Sequence, residues 1–297
     1  MGETKTVLEN QELYVEVNAH GSELARIYDK VKDREIIWES DPKIWNRHAP
    51  ILFPFIGKSF EDKYRFQGKI YPITAHGFAR DKEFVLDSRT ENEVWYRLES
   101  TPETMEIYPF PFVLMAGHRL EGRKLKVMWR VKNTGEDPMY FMLGGHPAFK
   151  TPKGLTVHDF TLDFGCAGKA DSLHYQAPNA QGFQEEALSG QLKLEDGKVP
   201  VTPGFFTTAL TYIFDEAQVE KVSLLLPGGE PYVTVHCAGI PYLGVWTMEA
   251  THPFICLEPW FGRCDRDGWQ GELQERDGVE ELPAGGEFQA EYEIEIH

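Results

Sequence analysis

Three short segments place titratable side chains among glycine, proline and aromatic residues. Glu258 follows an apolar run over residues 253–257 that reads as the end of a buried strand, and it precedes Pro259-Trp260-Phe261. A carboxylate in that setting costs free energy unless it is paired or put to use. Burial also raises a carboxyl pKa, which suits a general base. A structural ion pair, with Arg263 as its partner, is the other reading. His146 lies in Gly144-Gly145-His146-Pro147. The two glycines allow the backbone to approach a ligand closely, and Pro147 stiffens the chain and biases His146 toward extended geometry. His76, in His76-Gly77-Phe78-Ala79-Arg80, reads as a loop histidine between strand-like runs. Such a residue either caps a turn or serves as a hydrogen-bond donor or proton carrier near neutral pH. A fourth segment, residues 45–58, supplies the cations Arg47 and Lys58, and the planar fork of Arg47 suits hydroxyl groups.

The elements that must hold these residues read as strands. Residues 124–132 alternate with Leu125, Val127, Trp129 and Val131 on one face, and residues 288–296 repeat the pattern. Shorter alternations run through Leu13, Val15 and Val17 and through Val94, Tyr96 and Leu98. A period of two marks half-buried strands. Turn clusters at residues 133–138, 227–229 and 284–286 separate them. Helical periodicity is limited to a turn or two over residues 215–222 and about one over 41–45. Without alternating βα units, the pattern predicts an all-β sandwich or barrel. Residues 167–203, rich in Gly, Gln, Glu and Asp, read as long connections, and residues 1–297 as a single domain.

Bulk properties remove several function classes. Lys and Arg number 30 against 47 Asp and Glu, a net charge of −17, which opposes binding to a phosphate backbone. No apolar run is long enough for a membrane span, and residues 1–10 lack a signal-peptide core. The four cysteines, Cys166, Cys237, Cys256 and Cys264, show no CxxC spacing, which points to a reduced cytoplasmic protein. His174, His236 and His252 have no HxH or HExxH spacing, so no metal is expected. Neither a GxSxG elbow nor a P-loop occurs, and Cys264 near Glu258 reads as incidental.

Four motifs taken together, in this order, resemble the galactose-mutarotase-like superfamily of aldose 1-epimerases. They are Ala49-Pro50-Ile51-Leu52-Phe53-Pro54 with Gly57, His76-Gly77-Phe78-Ala79-Arg80, Gly145-His146-Pro147, and Leu257-Glu258-Pro259-Trp260. The resemblance is nearest to the divergent bacterial branch associated with lactose-utilisation genes. It implies a β-supersandwich of large antiparallel sheets with a sugar cleft on one face. It further implies that Glu258 is the general base on the anomeric hydroxyl, His146 the general acid on the ring oxygen, and His76 a hydrogen-bonding partner near that oxygen. Arg47, Lys58, Arg80, Trp260 and, as the match to a late sugar-binding aspartate, Asp215 are then the substrate-binding candidates. The chemistry needs neither metal nor organic cofactor, because ring opening requires only that one proton leave O1 and one reach O5.

The motifs also depart from the galactose mutarotases, which surround their glutamate with Thr-Gln rather than Pro-Trp. The His-Gly-Phe-Ala-Arg form also resembles hexose-6-phosphate mutarotases, in which arginines grip the phosphate; that resemblance implies a clamp here of Arg80 with Arg47 and, as a further candidate, Lys58. The partner is therefore a small sugar or a sugar phosphate, with the free sugar favoured by the acidic field of the chain. A non-catalytic carbohydrate-binding protein on the same fold is a further possibility. A glycosidase would need a second carboxylate, for which Asp265 is a distant candidate.

Overall fold

The computed structural model describes residues 4–208, 211–248 and 253–297. A nine-stranded antiparallel sheet forms the rear of the molecule. From edge to edge it runs Lys198–Pro200, Thr161–Asp163, Lys221–Leu225, Pro231–His236, Glu287–Ile296, Lys124–Asn133, Phe112–Glu121, Glu93–Glu99 and Val85–Arg89. The alternation read from the sequence sets its faces: Leu125, Val127, Trp129 and Val131 are buried, as are Tyr292, Ile294 and Ile296 on the paired strand. The front sheet runs Thr211–Phe214, Tyr242–Trp246, Phe254–Phe261, Leu143–Gly145 and Ile51–Leu52, and Ala148–Lys150 also pairs with Phe254–Phe261. Phe288 of the rear sheet packs edge-on against Phe141 and Phe261, with ring centroids 5.4 and 5.1 Å apart, so the core lies between the two sheets. A four-stranded N-terminal sheet, from Lys5–Glu9 to Arg34–Glu35, closes one side. Its buried Thr6 hydroxyl lies 2.7 Å from the Tyr96 hydroxyl of the rear sheet. The architecture is thus a large antiparallel β-sandwich, one of the two all-β forms that the strand pattern predicts and the one that the resemblance implies.

Local readings fared unevenly. Residues 41–45 do form one hydrogen-bonded turn, with both Ile44 and Trp45 N–H groups donating to the Asp41 carbonyl. Residues 215–222 form no helix: a tight turn at Glu216 and Ala217, both at positive φ, leads into strand Lys221–Leu225. Instead a helix covers Pro102–Ile107, with Thr101 capping its N-terminus and proline in the first turn. At six residues it is too short to leave a periodic signature. The stretch read as connections contains a hairpin, Ser172–Tyr175 with Gly190–Lys193, and the edge strand Lys198–Pro200.

One buried ion pair fixes the loops beside the front sheet. Arg276 Nε lies 2.7 Å from Asp265 Oδ1, with both side chains almost fully buried. Asp265 also accepts from the Phe60 N–H, Arg276 donates to Ser59, and its guanidinium lies over the Phe55 ring. Residues 55–60 are thereby clamped to residues 264–265. Removing one partner of such a pair strands a buried charge, at a cost of about 3–5 kcal/mol. Urea unfolding of Arg276→Met is expected to show a loss of that size. Asp265→Leu/Arg276→Met should recover part of it, and equal losses in single and double variants would contradict the clamp.

Candidate active site

Glu258 sits in the interior of strand Phe254–Phe261 rather than at its end, and its side chain is 1% exposed. The strand accommodates Pro259 because its neighbour is broken there. Leu143–Gly145 pairs with residues 260–261 and Ala148–Lys150 with residues 254–256, and His146 and Pro147 occupy the gap. The Leu257 N–H points to the Pro147 carbonyl. A period of two turns the Pro259 nitrogen to the same side, where the ladder is interrupted and no donor is needed. The His146 N–H in turn donates to the Pro50 carbonyl at 3.1 Å, which pins its backbone.

Alternation puts Cys256, Glu258 and Trp260 on the same, outward face. Small residues clear one side of each: Gly244 stands opposite Glu258 on one neighbouring strand, and on the other side Gly144 stands opposite Trp260 and Ala148 opposite Cys256. A Cβ at Gly144 would lie 2.5 Å from the Trp260 ring, and one at Gly244 would lie 2.6 Å from its far edge. The indole therefore lies flat across two neighbouring strands. Gly145 faces the other way, where a Cβ would meet the Tyr292 hydroxyl at 2.8 Å. The sequence expectation that both glycines serve a ligand is corrected: Gly144 makes room for Trp260 and Gly145 for a core tyrosine.

Above this floor lies a cleft of about 310 Å³ whose lining includes Glu258, His146, His76, Trp260, Lys58 and Arg80. His146 Nε2 lies 3.1 Å from Glu258 Oε2. The contact is close but misaligned, and both Glu258 Oε2 and His146 Nδ1 are buried without a hydrogen-bond partner among the protein's own atoms. Such groups cost free energy that a polar ligand can offset. Trp45 and Trp246 hold the imidazole from two sides, with ring centroids 5.1 and 5.3 Å away. Burial pushes His146 down to about 3, with the charge of Arg80 acting in the same direction. Burial also raises Glu258 well above the usual carboxyl range, against a smaller opposing effect of the Trp260 indole N–H. The same low-dielectric setting thus disfavours charge on either member.

His76 is held in a left-handed conformation, φ 65°. Its N–H donates to the Gly57 carbonyl at 2.9 Å, and the Gly57 N–H donates back to His76 Nδ1 at 3.2 Å. A ring nitrogen that accepts is unprotonated, so the imidazole is the neutral Nε2–H tautomer and a donor. Burial lowers its pKa, and nearby His146, Arg80 and Arg47 add to the effect. Turn formation and site formation are therefore one feature, where the sequence offered them as alternatives.

The cations divide. Lys58 and Arg80 line the cleft, and among the described residues Lys58 pairs with no carboxylate. Arg47 does not line the cleft: its guanidinium is committed to Asp81 at 2.7 Å and to the Arg80 carbonyl. Asp215 also lies away from the cleft, accepting from Gln176 at 2.5 Å and from Gln218. Arg263 pairs with Asp277 and not with Glu258, which removes the structural ion pair weighed for the glutamate. Asp265 is taken by Arg276. His252 lies outside the described residues. Trp45 and Trp246 were not singled out in the sequence, where nothing separates an aromatic beside a cleft from one in the core. Thr211, Ile213, Pro178 and Gly182 on the cleft wall were equally silent.

A model of the aldose 1-epimerase family matches residues 4–166, a span that includes His76 and His146. Protein LacX, chromosomal, from Lactococcus lactis subsp. lactis is 30% identical over 271 residues, covering 86% of this chain and 87% of that protein. Among solved structures, a galactose mutarotase related enzyme from Lactobacillus acidophilus matches with a TM-score of 0.90 at 29% identity, covering 99% of this chain and 97% of its own. A galactose mutarotase-like protein from Lactobacillus casei matches with a TM-score of 0.89 at 29% identity, covering 99% and 100%.

The raised Glu258 pKa has a stability signature. Above the ordinary carboxyl value of 4.5 the unfolded chain releases a proton that burial favours keeping in the folded chain, so stability falls as pH rises. Glu258→Gln removes that dependence. Its melting temperature is expected to exceed that of the parent above pH 4.5, by a margin that grows with pH and disappears below it. A margin independent of pH would show that the carboxyl is not held protonated by burial.

Proposed function

The chain belongs to the aldose 1-epimerase family, and from that premise we propose that it interconverts the α and β anomers of a hexose through Glu258 and His146. The observation that carries this reading is the 3.1 Å approach of His146 Nε2 to Glu258 Oε2 at the floor of the cleft. Ring opening needs a base at the anomeric O1–H and an acid at the ring oxygen O5. The pair holds one proton between its two members. With that proton on His146, the Glu258 carboxylate takes the O1 proton while the C1–O5 bond breaks and His146 protonates O5. Rotation about C1–C2 presents the other carbonyl face, and closure returns both protons. Each positioned partner contributes about 10²–10⁴-fold.

The rest of the cleft supports the same reading. The Nε2–H of His76 supplies a donor for a sugar oxygen, and Trp260 lies flat enough to stack against the apolar face of a pyranose. Among the described residues that line the cleft, Glu258 is the only carboxylate. That composition favours proton exchange at one carbon over glycoside hydrolysis, which usually takes two carboxylates.

A phosphorylated sugar is the second reading, favoured by Lys58 and Arg80 at the cleft. The acidic field of the whole chain opposes a dianion, but these two cations reverse the sign locally. Arg47 would act in such a clamp only through its contact with Arg80.

Polarimetry of freshly dissolved α-D-glucose and α-D-galactose, with anomer exchange of glucose 6-phosphate followed by NMR, tests both readings. Acceleration is expected to fall by about 10²-fold or more in Glu258→Gln and in His146→Asn. If phosphate is recognised, Lys58→Ala should raise KM for the phosphate ester and leave that for the free sugar unchanged. Sugar binding without acceleration on any of the three would instead favour a carbohydrate-binding protein.

A further inference from the structure

Beneath the proton-exchanging pair lies a thiol. Cys256 is two residues before Glu258 on the same strand face, is fully buried and does not line the cleft. It carries no disulfide. Its sulfur, a carboxylate oxygen of Glu258 and a ring nitrogen of His146 all lie within 4.8 Å of one another. From these positions we propose that His146, Cys256 and Glu258 form a site for a thiophilic divalent cation such as Zn²⁺, and that the bound ion excludes the sugar.

One imidazole, one thiolate and one carboxylate are a ligand set that zinc accepts in four-coordinate sites with an open position. Bond lengths of about 2.0–2.3 Å place the ligand atoms of a tetrahedral ion roughly 3.3–3.7 Å apart. The His146–Glu258 contact at 3.1 Å is slightly short of that spacing and needs only a small opening, and the sulfur closes on it by a movement of order 1 Å. The fourth position faces the cleft, because both His146 and Glu258 line it. Two buried polar atoms without a protein partner, Glu258 Oε2 and His146 Nδ1, accompany the cluster. The first is a ligand atom that an ion would satisfy. The second means that no outer partner orients the imidazole, a deficit worth about 10–100-fold in affinity. The site is therefore an inhibitory one, filled when the ion is plentiful, and not a resident structural centre.

Cobalt substitution reads the site without relying on catalysis. Adding Co²⁺ to the intact protein is expected to produce the visible bands of a four-coordinate ion and a near-ultraviolet thiolate-to-cobalt charge-transfer band, both displaced by Zn²⁺. Cys264→Ser should keep the charge-transfer band, whereas Cys256→Ala and the closer-sized Cys256→Ser should lose it. On whichever sugar is active, Zn²⁺ should inhibit competitively. The Cys256 variants, with basal anomer exchange preserved, should tolerate about 10-fold more Zn²⁺ or beyond. Absence of a charge-transfer band in the intact protein, or its survival in both folded Cys256 variants, would overturn the proposal. So would equal Zn²⁺ sensitivity with and without the thiol. Because this inference shares two residues with the proposed anomer exchange, the cobalt spectrum separates them: a chain inactive on every sugar still reports on the metal site.

Discussion

A carboxyl group held in the interior of a central strand, at 1% exposure, is the constraint that organises the front of this molecule. Burying an ionisable group in hydrocarbon surroundings is unfavourable unless its environment is built for it. Here the environment is a second titratable group, His146, delivered through a break in the neighbouring strand. The break, the proline that tolerates it and the histidine that fills it are parts of one solution. Pro259 has no N–H to present, so the strand can lose its partner there without stranding a donor.

Room above the carboxyl is the second requirement. Gly144 and Gly244 clear the strands on either side of Trp260, and the indole spreads over both. Gly57 and His76 exchange two hydrogen bonds, which fixes the tautomer of an imidazole at the cleft wall. The loop that carries Gly57 and Lys58 is itself anchored by the buried Arg276–Asp265 pair. Residues remote from any ligand thus set the geometry of those that would meet one, as preorganised sites require.

Charge illustrates how local structure overrides a global sum. A chain of net −17 nonetheless lines its cleft with Lys58, Arg80 and two imidazoles against, among the described residues, a single carboxyl whose pKa burial raises. Fields of several kT vary over a protein surface with the nearest groups, not with the total. The acidic residues are spent elsewhere, many in exposed ladders such as Lys124–Glu293 and Lys126–Glu291 on the rear sheet. Such pairs contribute little individually.

The sequence by itself determined the strand-dominated fold, because two-residue alternation and turn residues are local signals that survive without any tertiary information. It also marked Glu258, His146 and His76, since a titratable residue amid glycine, proline and aromatic neighbours stands out against that pattern. Tertiary structure decided which candidates meet. Lys58 and Arg80 face the cleft, whereas Arg47 is held by Asp81 and Asp215 by Gln176, and no spacing rule distinguishes these fates. The same holds for Cys256: its burial was legible from the apolar run, but its approach to a histidine 110 positions earlier in the chain was not. Trp45 and Trp246 became neighbours of that histidine by the same long-range packing. Local periodicity fixes which face a side chain occupies, and only the register between distant strands fixes what lies opposite it.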